Sequence, residues 1–131
     1  MSGLWSGEYR YDHDGMCVRF TAMITETDGK LCGTTLEPAT FGPLAGPDSE
    51  YEATIRGDRC GQHVLFSKRY LDSIGNGQPP LLYSGAVDAT FTLINGRWTF
   101  AEPALPSGTF SLSRVTTRTC AVIASVAEAG S

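Results

Sequence analysis

The stretch CVRFTAMITETDGKLCGTTLE, residues 17–37, decides the fold of this chain. Its first half alternates apolar and polar side chains, which is the pattern of a β-strand with one buried face. The Asp-Gly pair at 28–29 then favours the positive φ angles of a two-residue hairpin turn. Because this turn fixes the register, Thr27 must face Lys30, and every later pair follows from that one. The second strand is therefore predicted to turn four residues inward: Leu31, Gly33, Thr35 and Glu37.

Alternating runs of the same kind recur along the chain, about eight in all. Short turns follow the second, fourth and sixth runs, whereas longer connections follow the first, third, fifth and seventh. In an up-and-down arrangement, alternate connections lie at opposite ends of the sheet. The sequence therefore predicts an all-β protein, a single antiparallel up-and-down eight-stranded barrel over residues 1–116, with its long loops at one end. Residues 117–131 break the alternation and are predicted to be a tail, as a short helix, an extra strand or a frayed end.

The composition fits one domain and limits its partners. The chain has 131 residues, 41% of them hydrophobic, which is enough to form a core without disulfide bonds or a structural metal. Its net charge of −4 offers no basic surface for nucleic acid or an anionic membrane. The first residues show no basic segment before an apolar run, and no stretch approaches the roughly 20 apolar residues of a membrane span. We therefore expect a cytoplasmic location, with neither nucleic acid nor membrane as a partner.

The cysteines are expected to be reduced, and no cofactor or metal is expected. Cys17 and Cys32 fall on neighbouring strands but about eight residues out of step, which corresponds to roughly 26 Å and exceeds the reach of a disulfide. Neither a CxxC motif nor a cluster of Cys and His is present to bind zinc. Cys60 is predicted to lie in a Gly-flanked turn beside Arg59, either as an ordinary exposed cysteine or as a reactive thiol.

Several short segments follow one another in a characteristic order: DGKLCGT at 28–34, FSKRY at 66–70, YSG at 83–85, ING at 94–96 followed by Trp98, and GTF at 108–110. With Trp5 early in the first strand and Arg114 late in the last, they resemble the calycin superfamily, which includes lipocalins, fatty-acid-binding proteins and avidins. Within that superfamily the spacing resembles avidins most. The resemblance implies a closed calycin-like, avidin-like barrel in which Trp5 and Arg114 stack across the closed end.

The resemblance does not extend to the residues that bind biotin. The avidin pocket combines several tryptophans with Asn, Ser, Tyr and Asp side chains that hydrogen-bond the ureido ring. Only Trp98 matches. The other matching positions hold Gly7 for an asparagine, Tyr11 for a serine, Thr35 for a tyrosine, Phe66 and Tyr83 for tryptophans, and Gly108 for an aspartate. Because central anchors are each worth about 2 kcal/mol or more, the resemblance implies the architecture and not the ligand.

The inward residues nearest the long-loop end are predicted to form the binding site. Aromatic walls with a few polar groups are typical of small-molecule pockets. The alternative is that the aromatic side chains simply fill a small barrel. The predicted ligand-binding residues are Tyr11, Thr35, Glu37, Tyr51, Phe66, Lys68, Tyr83, Trp98 and Phe100.

Glu37 and Lys68 are the two charged residues that strand alternation turns inward near this end. Removing a charge from water costs several kcal/mol, so the two side chains should pair or stay in contact with solvent. One interpretation is an ion pair at the rim, or two side chains that extend to solvent. The other is functional, with Glu37 as hydrogen-bond acceptor or general base and Lys68 or Tyr83 as donor.

Three functions therefore stay open. The first is the binding of a small, partly apolar molecule other than biotin in the lumen of the barrel. The second is a cofactor-free cyclase or isomerase that uses Glu37, Lys68 and Tyr83 as catalytic residues, because an intramolecular reaction needs little more than shape and a few polar groups. The third is a non-catalytic interaction module. Outward leucines on neighbouring strands suggest a homodimer or tetramer through the outer face: Leu65, Leu82 and Leu93.

The remaining polar clusters are predicted to be solvated. Asp12, His13 and Asp14 follow the first strand, but three adjacent residues on an extended strand cannot all face one metal ion. His63 is predicted to face outward, and no serine lies in a GxSxG motif, so a hydrolytic triad is not indicated.

Overall fold

A computed structural model describes residues 1–40, 45–46, 49–71, 80–102 and 104–115 of the chain. It confirms the all-β prediction with eight strands. They are β1 (Gly3–Tyr11), β2 (Cys17–Thr27), β3 (Lys30–Pro38), β4 (Glu50–Cys60), β5 (His63–Tyr70), β6 (Leu81–Val87), β7 (Leu93–Phe100) and β8 (Ser107–Arg114). The predicted tail at 117–131 lies outside the described residues. Among the described residues, no helix is long and apolar enough to cross a membrane.

The strands form a closed barrel in which each pairs antiparallel with its neighbours along the chain. Closure is made by β1 and β8, with Tyr9 opposite Phe110 and Trp5 opposite Arg114. The predicted hairpin register is confirmed, because Thr27 pairs with Lys30. At the turn, φ is 51° at Asp28 and 80° at Gly29, the left-handed values that an Asp-Gly pair favours.

The connections differ in length much as predicted, with one correction. The long connections 39–49, 71–80 and 101–106 lie at one end of the barrel, and the two-residue turns 28–29 and 61–62 lie at the other. The first connection, 12–16, is no longer than 88–92 at the opposite end, so it is not one of the long loops. The 88–92 turn is held by Asp88, whose carboxylate accepts the N–H of Thr92 at 2.7 Å and of Leu93 at 3.1 Å. The Thr92 N–H is the main reason that the pKa of Asp88 is lowered to about 2.

The fourth turn is shorter than the sequence suggested. Strand β4 continues to Cys60, which pairs with His63, and only Gly61 and Gln62 make the turn. Gly61 has a φ of 60°, a left-handed value that glycine adopts without the steric cost a side chain would add. Cys60 is therefore the last residue of a strand and not part of the turn.

The closed end is built on Trp5 and Arg114, as the resemblance implied. The guanidinium carbon of Arg114 lies 4.7 Å from the centroid of the Trp5 ring. Arg114 Nε donates to the carbonyl of Phe91 at 2.8 Å, and its Nη1 donates to the carbonyl of Ser2 at 2.6 Å. One planar side chain thus covers the buried tryptophan and ties β8 to two other segments.

Replacing Arg114 should show whether the planar guanidinium group, and not only its charge, stabilises the barrel. We expect Arg114→Ala to lower the free energy of unfolding by about 2 kcal/mol, because it removes a cation–π contact and two charge-assisted hydrogen bonds. Arg114→Lys should recover less than half of that loss, since an ammonium cannot stack and make both bonds in the same geometry. Urea denaturation of both variants measures the difference. A lysine variant as stable as the parent protein would show that only the charge is needed.

Exposed apolar residues of the outer face include two small groups of neighbours, and Leu93 lies outside both. Leu65, Leu82 and Leu93 are all exposed, as predicted, but only the first two are neighbours: Leu65 lies opposite Ser84 and Leu82 opposite Ser67 on the paired strands β5 and β6. Leu93 pairs with Ser113 of β8. A second group lies on β1, β2 and β3, where Leu4 pairs with Met23 and Leu36 is also exposed: Leu4, Met23 and Leu36. Self-association through the outer face stays a prediction.

Candidate functional site

The carboxylate of Glu37 is the centre of the lumen site. It belongs to β3 and is 1% exposed, because strand alternation turns it inward between Thr35 and Ala39, which are also buried. Three donors reach it from β1 and β5. Lys68 Nζ donates to Oε1 at 2.6 Å, the Tyr70 hydroxyl donates to the same oxygen at 2.8 Å, and the Tyr9 hydroxyl donates to Oε2 at 2.5 Å. The two carboxylate oxygens are thus both engaged by protein groups.

The ammonium of Lys68 is enclosed by aromatic rings. It is 1% exposed, and its only ion-pair partner among the described residues is Glu37. Rings within about 6 Å attract a cation through their quadrupole, and the distances from Nζ to ring centroids are 4.9 Å for Tyr9, 5.1 Å for Phe20, 4.9 Å for Tyr70 and 5.8 Å for Tyr83. The ammonium group of the ion pair is therefore surrounded by four aromatic rings.

Burial shifts the titration of this group of side chains in a consistent way. Burial lowers the pKa of Lys68, and the neighbouring carboxylate of Glu37 opposes that shift without reversing it. Burial raises the pKa of Tyr9, Tyr70 and Tyr83, and the negative charge of Glu37 raises each of them further. The tyrosines are therefore neutral hydroxyl groups at any ordinary pH.

Two buried hydroxyls near this group have no hydrogen-bond partner among the described residues: those of Tyr83 and Thr35. Tyr83 is 1% exposed, and its ring stacks on Phe66 with centroids 5.0 Å apart and planes 8° apart. Phe110 packs edge-on against Tyr83, with ring centroids 4.9 Å apart. Thr35 lies between Ala22 and Ala53 on the flanking strands, so its neighbours on both sides have small side chains.

The rim at the long-loop end is aromatic. Tyr11 and Phe100 end β1 and β7 and are partly buried, and each packs edge-on against Trp98, at 5.1 Å and 6.1 Å. Trp98 Nε1 donates to the carbonyl of Arg10 at 3.2 Å. Next to this bond, a Cβ at Gly108 would lie 1.7 Å from the same carbonyl oxygen and 2.7 Å from Trp98 Nε1. Only glycine fits at that position.

The structure brings most of the predicted site residues together. Glu37 and Lys68 pair and are both buried, so the interpretation that their side chains extend to solvent was wrong. Phe66 and Tyr83 stack beside them, and Tyr51 reaches the group through an edge contact with Tyr70 at 6.1 Å. The other predicted residues are Thr35, which is buried on β3, and the rim residues Tyr11, Trp98 and Phe100.

Three contributing residues were missing from the predicted set: Tyr9, Phe20 and Tyr70. Each has an inward parity that the sequence shows. Tyr70 is two residues beyond Lys68 on β5, and Tyr9 and Phe20 alternate with polar neighbours on β1 and β2. Alternation would have placed them inside, but nothing in the sequence indicated that two of them donate to Glu37.

The other candidate residues lie on the surface. Asp12 pairs with Arg97 and accepts the hydroxyl of Ser107 at 3.2 Å, and His13 lies 3.4 Å from Asp14. Within the described part of the chain, no group of three or more His, Cys, Asp or Glu side chains could hold a metal ion. His63 is exposed, as predicted. Exposed Cys17, Cys32 and Cys60 are free thiols.

The strands form a closed, antiparallel up-and-down barrel with an avidin-like fold, and Trp5 and Arg114 stack at its closed end. Among solved structures, the chain is similar to apo shwanavidin, with a TM-score of 0.54 and 19% sequence identity over 89% of this chain and 98% of that one. No protein-family model and no curated protein matches the chain. At this identity the similarity establishes the fold.

Proposed function

We propose that this protein binds a small, partly apolar, aromatic molecule other than biotin in the lumen of its barrel. The observation that carries the proposal is a pair of buried hydroxyls, those of Tyr83 and Thr35, that lack a partner among the described residues, and the ring of Tyr83 stacks on Phe66. Buried polar groups in folded proteins are almost always hydrogen-bonded. A ligand with matching polar atoms would satisfy them.

The rival explanation is a barrel interior that is filled only for stability. Leaving a buried hydroxyl unsatisfied costs about 1–3 kcal/mol, and a phenylalanine at position 83 would keep the stacking on Phe66 without that cost. Retention of the hydroxyl is therefore better explained by a ligand than by packing. The avidin-like fold is compatible with the same proposal, because the interior of an eight-stranded barrel is either filled by side chains or holds one small ligand.

The contacts of Glu37 favour binding over turnover. A general base must direct a lone pair at the substrate, whereas three of the roughly four acceptor sites of the Glu37 carboxylate are occupied by Lys68, Tyr70 and Tyr9, and the side chain is buried among these donors. We therefore propose the cofactor-free cyclase or isomerase only as the alternative that a turnover assay on the bound molecule would reveal.

Biotin is a poor candidate for the ligand. At the position where the resemblance implies an aspartate in avidins, Gly108 cannot accept a Cβ without moving the backbone at Arg10. Trp98, the one residue that matches the avidin pocket, donates its indole N–H to the carbonyl of Arg10, so this N–H is not free to bind a ligand.

The direct test is to identify what the purified protein carries. Native mass spectrometry of the intact protein should show a bound species of low mass, and mass spectrometry after denaturation should identify it. If repeated preparations carry nothing and no aromatic probe binds, the lumen is only a core and the proposal is wrong.

Two matched variants should separate a ligand-binding hydroxyl from a structural one. We expect Tyr83→Phe to raise the stability of the ligand-free protein by about 1 kcal/mol, because it removes an unsatisfied buried hydroxyl. The same variant should weaken ligand binding about tenfold. In contrast, Tyr70→Phe should lower stability by about 2 kcal/mol, because it removes a hydrogen bond to a charged carboxylate.

Urea denaturation and titration of the co-purified ligand measure both effects. Loss of stability in Tyr83→Phe would show that its hydroxyl has a structural partner, and unchanged ligand affinity would exclude it from the binding site.

A further inference from the structure

We infer that the lumen selects an uncharged, planar aromatic molecule with a hydrogen-bonding group, and that the buried Glu37–Lys68 ion pair sets this selectivity. The inference rests on the proposed function, since it names the class of ligand for the same site. It is carried by the charge balance of the lumen, by the two hydroxyls that have no partner in the described part of the chain, and by the shape of the walls.

The buried charges of the lumen cancel. Glu37 and Lys68 are the charged side chains in the buried core of the described residues, and their charged atoms are 2.6 Å apart. A charged guest would add an ion with no counter-ion in a region where the loss of hydration costs several kcal/mol. Its attraction to one member of the pair would be offset by repulsion from the other. An uncharged guest has neither penalty.

The groups that can still form hydrogen bonds are neutral. The hydroxyls of Tyr9 and Tyr70 already donate to Glu37, so they are not free to donate to a guest. The two unpartnered groups in the described lumen are the hydroxyls of Tyr83 and Thr35, and each can donate or accept. Such groups match a phenol, an amide or a ring nitrogen.

The electrostatic environment of Tyr83 opposes negative charge in particular. Burial and the charge of Glu37 together raise the pKa of Tyr83, which means that a phenolate is disfavoured at this position. An anionic ligand bonded to the same hydroxyl would place its charge in the same environment. The two effects that keep Tyr83 neutral would therefore also act against that ligand.

The walls beside these groups are flat. Tyr83 and Phe66 lie within 8° of parallel, and Phe110 meets Tyr83 edge-on at 71°. Offset stacking and edge contacts are the favoured arrangements of aromatic rings, so a planar ring system can extend this wall.

Four probes with one ring system test the inference: 2-naphthol, naphthalene, 2-naphthoate and 2-naphthylmethylammonium. Their binding to the full chain at pH 7 can be followed by calorimetry and by quenching of tryptophan fluorescence. We expect 2-naphthol to bind at least about tenfold more tightly than either ion, a difference of about 1.4 kcal/mol. It should also bind more tightly than naphthalene, and Tyr83→Phe should remove that advantage.

Variants of the pair should change the charge preference in opposite directions. Glu37→Gln leaves Lys68 without a counter-ion, so affinity for 2-naphthoate should rise at least tenfold relative to 2-naphthol. Lys68→Met leaves Glu37 alone, and the same rise is expected for 2-naphthylmethylammonium. Lys30→Met changes the net charge by the same amount as Lys68→Met but lies on the exposed surface, so it should not alter the ranking. If the lumen variants do not fold, the ranking in the parent protein and in Tyr83→Phe decides.

The outcomes for the inference and for the proposed function are distinct. Ions that bind as tightly as 2-naphthol would overturn the inference and leave lumen binding in place. A co-purified ligand that is charged at pH 7 would do the same. If no probe binds and nothing co-purifies, the proposed function is wrong and the inference fails with it.

Discussion

The Glu37→Gln variant should lose about 3–5 kcal/mol of its free energy of unfolding, because Lys68 would remain as a buried charge without a counter-ion. Both side chains of the pair are at most 1% exposed, so solvent cannot replace the missing carboxylate. The amide would also receive three donors where it has one carbonyl oxygen to accept them. Urea denaturation followed by circular dichroism measures the loss.

Two controls separate the ion pair from a general effect of substitution. The double variant Glu37→Gln with Lys68→Met should be more stable than Glu37→Gln alone, because it removes the unpaired charge. The exposed pair Lys30–Asp58 has the same 2.6 Å separation, and Asp58→Asn should cost little because solvent screens exposed pairs. If Glu37→Gln is as mild as Asp58→Asn, the buried pair does not stabilise the barrel.

Alkaline pH should unfold the barrel steeply above pH 10. The pKa values of Tyr9, Tyr70 and Tyr83 are raised in the folded protein, whereas the unfolded chain releases these protons near pH 10. Their stabilising contribution is thus present below pH 10 and is lost as the pH rises. Each group contributes about 1.4 kcal/mol per pH unit, so these three together give a loss of about 4 kcal/mol per unit, and Tyr11, whose pKa is also raised by burial, adds to the loss.

Lys68 has the opposite effect on stability, and it acts over a lower range of pH. Its pKa is lowered in the folded state, so the unfolded chain binds more protons between that value and about 10.5, and stability rises with pH across this window. Above it only the tyrosines act. The curve should therefore be flat or rising until about pH 10 and then fall sharply.

Urea denaturation from pH 8 to 12, combined with tyrosinate absorbance, checks this prediction. Absorbance from the buried tyrosines should appear together with the loss of the barrel signal in circular dichroism. Tyr83→Phe should reduce the alkaline slope by about 1.4 kcal/mol per pH unit, since one of these groups is removed. Ionisation of these tyrosines near pH 10 in an intact barrel would contradict the expected burial effect.

The strand faces could be predicted because alternation in a strand is a local property. In β5, the sequence VLFSK already places Val64, Phe66 and Lys68 on one face, and the structure buries all three. The Asp-Gly turn likewise fixes the Thr27–Lys30 register without help from the rest of the chain. Turn length was less predictable, because strand β4 continues through residues that look like turn formers to Cys60.

The interior arrangement of the site could not be predicted in the same way. Alternation says that Glu37 and Lys68 point inward, but their charged atoms meet because the barrel brings β3 and β5 across from one another through the intervening β4. The two tyrosine donors come from β1 and β5, which are far apart in sequence from Glu37. The sequence therefore left open whether Glu37 and Lys68 are solvated or paired, because their pairing depends on contacts across the barrel.

The sequence by itself determined which residues form strands, which face each presents and where the hairpin register starts, since those features depend on neighbours along the chain. Only the tertiary structure decided that the ion pair is buried, that three hydroxyl and ammonium donors converge on one carboxylate, and that the hydroxyls of Tyr83 and Thr35 find no partner within the described residues. These depend on distances across the closed barrel, which strand pairing and shear set and which no local pattern encodes.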